Sequence, residues 1–265
     1  MSLRIQNNVE ALSAHRSLNE TSSKLAKSME RLSSGYRINR AADDAAGLSI
    51  SERMRSQING LAQANRNIQD GVSMVQTAEG NLDEVHSMLQ RVRELAVQYK
   101  NGTLSTSDQA AIQTEVNQLA SEIERIGSSA KFNGITLLAT SGSVTFQVGV
   151  NDGDSITVST ISLGSTVGAF STLSGASSIS AIDAAISAVS SARATFGAVQ
   201  NRLEHSMAST QVYAENLTAA ESRVRDVDMA AEMVELTKNQ ILQQAGTSML
   251  AQANQAPQSI LSLIR

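Results

Sequence analysis

The chain of 265 residues has no cysteine and no tryptophan, a single proline and 3% aromatic residues. Without cysteine there is no disulfide, no zinc–thiolate site and no thiol nucleophile, so the protein must hold together without covalent staples. Charge is scarce too. Asp, Glu, Lys and Arg make up 17% of the chain, below the ~25% of ordinary soluble domains, so amides and hydroxyls form much of the polar surface. The 21 basic and 25 acidic residues leave a net charge of -4, which gives no electrostatic footprint for a phosphate backbone; nucleic acid is not expected as a partner. No stretch approaches the ~18 apolar residues of a membrane span, so membrane insertion is not expected. Met1 to Asn8 contain no unbroken apolar run, so no removable secretory signal is expected. By default the chain reads as cytoplasmic unless it leaves by a route that needs no such signal. Disorder throughout is excluded by a hydrophobic content of 41%.

What the chain does have is helical periodicity. Leu61, Ile68, Val75, Leu82, Leu89 and Ala96 recur every seventh residue, with Ala64, Ala78, Val85, Val92 and Tyr99 at the three-residue offset. That is a heptad seam. A second seam runs through Ile182, Val189, Phe196, Leu203, Leu217 and Val224, with Ala185, Ala192, Val199, Tyr213, Ala220 and Val227 at its offset. Ile112, Val116, Leu119, Ile123 and Ile126 predict a shorter amphipathic helix with capping chemistry at Ser107 and Asp108. The turn at Lys100–Thr103 makes antiparallel packing the economical solution. A helix of ~45 residues is ~65 Å long, so a rod is expected. Near the ends, Ala11, Leu18, Leu25 and Leu32 form one stripe, and Val227, Ala230, Val234, Ile241, Ala245, Met249, Ala253, Ile260 and Ile264 form another. The two should pair. Apolar residues off the second stripe, Met229, Met233, Leu236, Leu242, Leu250, Leu261 and Leu263, exceed what one partner helix can cover, which points to further subunits. Pro257 removes one hydrogen bond from this helix and should kink or weaken it. Arg40–Gly47 breaks both periodicities and should join the terminal and central segments.

Glycine, serine and threonine rise over 131–178. There Val144, Phe146, Val148 and Val150, then Ile156 and Val158, flank Asn151-Asp152-Gly153-Asp154, which predicts a β-hairpin. Ser159 to Ser178 reads as an exposed loop. The fold class is therefore mainly α, an elongated antiparallel helical bundle or coiled coil with a small β-hairpin region.

Reaction chemistry is sparse. His15, His86 and His205 are scattered and read as solvated. Asp43-Asp44 reads as a helix cap, and Asp226, Asp228, Glu232 and Glu235 as a solvated face rather than an acid/base pair. The methionines follow apolar positions and read as adaptable packing. No catalytic residue, metal site or cofactor is expected.

Several strings, in order, resemble bacterial flagellin, the subunit of the flagellar filament. They are Ile5-Gln6-Asn7-Asn8, Arg31-Leu32-Ser33-Ser34-Gly35-Tyr36-Arg37-Ile38-Asn39, Asp43-Asp44-Ala45-Ala46-Gly47, Gln90-Arg91-Val92-Arg93-Glu94-Leu95-Ala96-Val97-Gln98, Phe132-Asn133-Gly134 and Ala256-Pro257-Gln258-Ser259-Ile260-Leu261-Ser262-Leu263. The resemblance implies a short flagellin without the large outer domains of longer relatives, and hence a thin, smooth filament. It implies a terminal inner domain of residues 1–40 with 226–265, whose ends are disordered in the free subunit and fold on incorporation, and an outer-shell domain of residues 41–225. Implied partners are further copies of the chain, the cap and hook–filament junction proteins, an export chaperone and the type III export apparatus, which would place the protein outside the cell. Ile5, Leu18, Leu25, Leu32, Val234, Ile241, Leu261 and Ile264 would carry assembly. Gln90, Arg91, Leu95 and Glu115 would be met by a toll-like innate immune receptor. The alternative is a hook–filament junction protein, which shares the terminal helices; the Gln90–Gln98 string and the hairpin favour flagellin. A carboxylate-dependent enzyme stays formally open, although the outer region is too short to form a cleft.

Overall fold

The computed structural model describes residues 8–164 and 178–263, with side chains at the far end described as far as Gln255. Among the described residues the helices are α1 (Val9–Ser34), α2 (Ala45–Tyr99), α3 (Thr106–Ser129), α4 (Ser178–Arg225) and α5 (Met229–Leu263). Four short strands, β1 (Lys131–Phe132), β2 (Ile135–Thr136), β3 (Gly142–Gln147) and β4 (Ser155–Thr160), lie between α3 and α4. The chain divides into two units, one of Met1–Ser56 with Leu217–Arg265, the other of Gln57–Asn216.

The second unit is built on the expected seams. Leu61, Ala64, Ile68, Val75, Ala78, Leu82, Val85, Leu89, Val92 and Ala96 of α2 are buried, as are Ile182, Ala185, Val189, Ala192, Phe196, Val199 and Leu203 of α4. Ile112, Val116, Ala120 and Ile123 of α3 join the same cluster. Ion pairs fence its edges: Arg93 meets Asp183 at 2.6 Å, Arg193 meets Asp83 at 2.9 Å and Arg91 meets Glu115 at 2.9 Å. The seam of α4 departs from expectation at Tyr213, which is exposed, while Thr210 is buried. Thr210 can take that place because its hydroxyl donates to the Ser206 carbonyl at 2.7 Å and carries no unpaired polar atom inward.

The cap of α3 begins two residues earlier than expected, at Ser105 rather than Ser107. Ser105 accepts from the Asp108 N–H, and Asp108 accepts in return from the Ser105 N–H, a reciprocal capping box. Ser107 instead shares a hydrogen bond with the Ser105 hydroxyl. β3 and β4 form the expected antiparallel hairpin, with Val144 opposite Val158 and Phe146 opposite Ile156. β1 and β2 form a second hairpin. It turns on Asn133 and Gly134, both at positive φ (47° and 82°), which is the geometry that Asn-Gly adopts in a tight hairpin. The stretch after β4 is not wholly a surface loop: Leu163 is buried and its N–H donates to the Leu138 carbonyl at 2.9 Å. Residues 165–177 of that stretch lie outside the described residues.

In the first unit α1 ends on Gly35, whose φ of 75° suits a residue without Cβ and whose N–H donates to the Arg31 carbonyl. Asp44 accepts from the Gly47 N–H at 2.8 Å and so caps α2, as its position suggested. Between the helices the chain is tied to the return strand of the same unit. Tyr36 pairs with Asp226, the Arg37 N–H donates to the Arg225 carbonyl, and the Val227 N–H donates to the Gly35 carbonyl. The Arg225 guanidinium lies 4.8 Å from the centroid of the Tyr36 ring and bonds Glu52 at 2.7 Å.

Candidate functional site

The expected assembly residues sit on the pair formed by α1 and α5. On α1 one stripe turns inward: Ala11, Ala14, Leu18, Thr21, Leu25 and Leu32 are half-buried and Ser28 is buried. This is a heptad seam with small and hydroxyl-bearing residues at the alternate positions. On α5 the inward stripe is not the one the apolar spacing suggested. Leu236 and Asn239 are buried, and Glu232, Gln243, Gly246, Leu250 and Ala253 are half-buried at alternating steps of four and three. Val234 is 70% and Ile241 61% exposed, and Met229, Met233, Leu242 and Met249 are exposed beside them. The correction has a physical cause. A Cβ on Gly246 would lie 3.3 Å from Cδ1 of Leu18, so the two helices come together closely where α5 has no side chain. Polar pairing holds the ends: Arg31 meets Glu232 at 3.4 Å, with the Glu232 side chain only 11% exposed, so this carboxylate is paired rather than solvated.

The exposed apolar face of α5 is accompanied by Val9, Leu12 and Met29 on α1. Between the two helices lies an open groove of about 690 Å³ lined by Leu18, Thr21, Leu242, Ala245, Gly246 and Met249 among others. Such a surface on a two-helix unit is larger than isolated exposed side chains would explain. Ile5 and Ile264 lie outside the described residues, as does the side chain of Leu261.

The second expected surface lies on α2 and α3. Arg91 donates to Glu115 through Nε at 3.0 Å and Nη2 at 2.9 Å, and through Nη1 to Glu94 at 3.1 Å. Hydrogen bonding to Glu115 first, then to Glu94, raises the Arg91 pKa above its ordinary value. Gln90 lies in a groove with Arg93, Glu94, Val97, Asp183 and Ile186 and bonds the His86 ring at 2.9 Å. Leu95 is 2% exposed and belongs to the core. The structure therefore brings Arg91 and Glu115 together and leaves Leu95 behind them. His15 and His205 are exposed, whereas His86 is half-buried with Nδ1 sealed and unpaired. No group of three or more His, Cys, Asp or Glu that could hold a metal is present among the described residues.

The acidic pair at the end of the first loop is used structurally. Asp43 meets Lys27 at 2.7 Å and accepts from the N–H groups of Asn39 and Arg40. These bonds, Lys27 foremost, hold its pKa down from 3.8 to about 2.

The helical segments match the bacterial flagellin N-terminal helical region over residues 5–143 and the bacterial flagellin C-terminal helical region over residues 179–264. The chain belongs to the bacterial flagellin family. It is 52% identical over 272 residues to a flagellin of Halalkalibacterium halodurans, covering 98% of this chain and 99% of that protein. It is 48% identical over 284 residues to the flagellar filament 33 kDa core protein of Treponema phagedenis, covering 98% and 99%. The crystal structure of Bacillus cereus flagellin superposes with a TM-score of 0.51 at 32% identity, covering 59% of this chain and 94% of that one. As a flagellin of short form, the chain is a structural subunit of the flagellar filament, exported to the outside of the cell to serve motility. These matches do not favour a junction protein.

Proposed function

We propose that the outward faces of α1 and α5 drive the addition of this subunit to the filament, with residues 1–40 and 226–265 acting as the inner domain and residues 41–225 as the outer shell. The carrying observation is the exposed row of Met229, Met233, Val234, Ile241, Leu242 and Met249 on a helix whose opposite side already packs on α1. Full burial of a large apolar side chain is worth about 1.5–3 kcal/mol, so a neighbour covering this row would help repay the ordering of the two helices. Leu18, Leu25 and Leu32 then act by holding α1 to α5, and Val234 and Ile241 by meeting the next subunit. Ile5, Leu261 and Ile264 extend the same function toward the chain ends. Subunits would leave through the type III apparatus with an export chaperone and add beneath the cap, on a base set by the junction proteins. The role is structural and not catalytic, consistent with carboxylates spent on caps and ion pairs at Asp43, Asp44, Asp228 and Glu232. Seeded elongation tests the reading: Ile241→Asp should abolish growth while leaving the chain folded, and normal growth of that variant would contradict it.

The monomer would also be met by a toll-like innate immune receptor through Gln90, Arg91 and Glu115. The exposed Arg91–Glu115 pair supports this reading, and Leu95 contributes by seating α2 in the core. Arg91→Ala should lower receptor signalling and leave the unfolding midpoint unchanged. Loss of assembly with signalling intact would overturn the assignment.

A further inference from the structure

Pro257 is the one proline of the chain and stands within α5, four residues after Ala253. In a continuous helix the N–H of residue i+4 donates to the carbonyl of residue i; a proline at i+4 has no N–H to give. The Ala253 oxygen is thereby deprived of its helical donor on the half-buried side of α5. Asn8 supplies a donor from the other end of the sequence. Its Nδ2 donates to the Ala253 oxygen at 2.7 Å. The Oδ1 of the same amide accepts the Ala11 N–H at 3.1 Å and caps α1. One side chain thus uses its donor on one helix and its acceptor on the other. A slide of one residue along the axis displaces the partner by ~1.5 Å, enough to break the link.

We propose that Asn8 sets the axial register of α1 against α5, and that Pro257 creates the acceptor it reads. The seam needs such a device. Its leucines, Leu18, Leu25 and Leu32 on α1 with Leu236 and Leu250 on α5, repeat at heptad spacing, so a seam moved by seven residues again sets leucine against the partner, and Ala11, Ala14, Thr21, Gln243 and Gly246 between them interlock weakly. Register in turn decides whether the exposed rows of the two helices line up into one surface. For that consequence the proposal rests on the assembly reading above; the register itself can be measured separately.

The absence of cysteine makes the measurement clean. A Cβ on Gly246 would lie 4.0 Å from Cβ of Leu18, within the ~3.5–4.5 Å span of a disulfide. Leu18→Cys with Gly246→Cys should therefore link in the native register. Leu18→Cys with Ala253→Cys, one heptad along, should link only after a slip. Both pairs are oxidised in the full-length chain, in pelleted polymer and in the chain left unpelleted. Asn8→Ser keeps a capping oxygen for Ala11 but is one bond too short to reach Ala253. It should shift the ratio of native to slipped linkage by about fivefold, the low end of what leaving an acceptor unpaired is worth, as suits a half-buried carbonyl. In a Pro257→Ala background, where the helix recovers its own donor, the same substitution should shift the ratio less than about twofold.

An unchanged ratio for Asn8→Ser, or an equal change in both backgrounds, would reduce Asn8 to a cap and overturn the proposal. Failure of the native pair to link in the parent would do the same. Should Asn8→Ser prevent polymerisation, restoration by Pro257→Ala supports the pin, and no restoration contradicts it. Growth of the Ile241→Asp chain together with an intact Asn8–Pro257 dependence would sink the assembly reading and leave the register device standing.

Discussion

Leu82, Val85, Leu89 and Val92 are sealed to 1% exposure or less, whereas Val234 and Ile241, residues of the same chemistry on a helix of the same chain, stand 70% and 61% exposed. The first group belongs to the unit of residues 57–216, in which α2, α3, α4 and the strands close one apolar cluster. The second belongs to a unit of two long helices, and two helices have only one mutual seam. That seam on α5 mixes Leu236, Leu250 and Ala253 with Glu232, Asn239, Gln243 and Gly246, while branched aliphatics and methionines stand among the outward residues. A fold that needed only itself would bury the aliphatics and expose the amides. The exposed aliphatics support the proposal that the outward row meets another surface, and spacing alone does not distinguish a seam within a subunit from one between subunits.

Substitutions can break this contrast in either unit. Ile241→Asp should have the largest effect, at least hundredfold on the subunit concentration needed for elongation, because an unpaired charge buried at a contact costs several kcal/mol; the urea midpoint of the other unit should not move. Leu89→Ala should do the reverse, costing the unit of residues 57–216 about 2–5 kcal/mol in denaturant unfolding through the cavity it leaves, with elongation retained at low temperature. Ser105→Ala, which removes one half of the capping box on α3, should cost ~1 kcal/mol in the same unfolding measurement. The smallest effect is electrostatic. Because the folded pKa of Asp43 is depressed to about 2 from 3.8, its contribution is complete above pH ~4 and is lost as pH falls toward 2. Lys27→Met should flatten that part of the pH profile for the first unit, followed by helix content during acid titration.

Much of the fold was legible. The heptad seams of α2 and α4 were readable because a wide apolar stripe in a closed bundle leaves little choice of inward face. The β3–β4 hairpin followed from alternation across a glycine-containing turn. The smaller hairpin at Asn133-Gly134 carried its signal in two residues, too short for periodicity to register. At Tyr213 and Thr210 the pattern misled, since a threonine that satisfies its own hydroxyl within the helix can sit where an apolar residue is expected. The assembly surface was harder. The excess of apolar residues on α5 announced partners, but its rotation about the axis was set by Gly246, Glu232 and the Asn8–Ala253 bond. None of these has an apolar signature. Likewise Leu95 and Arg91 lie four residues apart in one motif, yet Leu95 is sealed in the core while Arg91 stays exposed and meets Glu115 on α3.

Electron microscopy of the chain salted out at high concentration, full length beside a form lacking residues 1–34 and 229–265, tests the central claim most directly. Long filaments from the full-length chain, with the shortened form remaining a helical, cooperatively unfolding monomer, are the predicted result. Filaments from the shortened form would place the assembly surface in the unit of residues 57–216 and contradict the account.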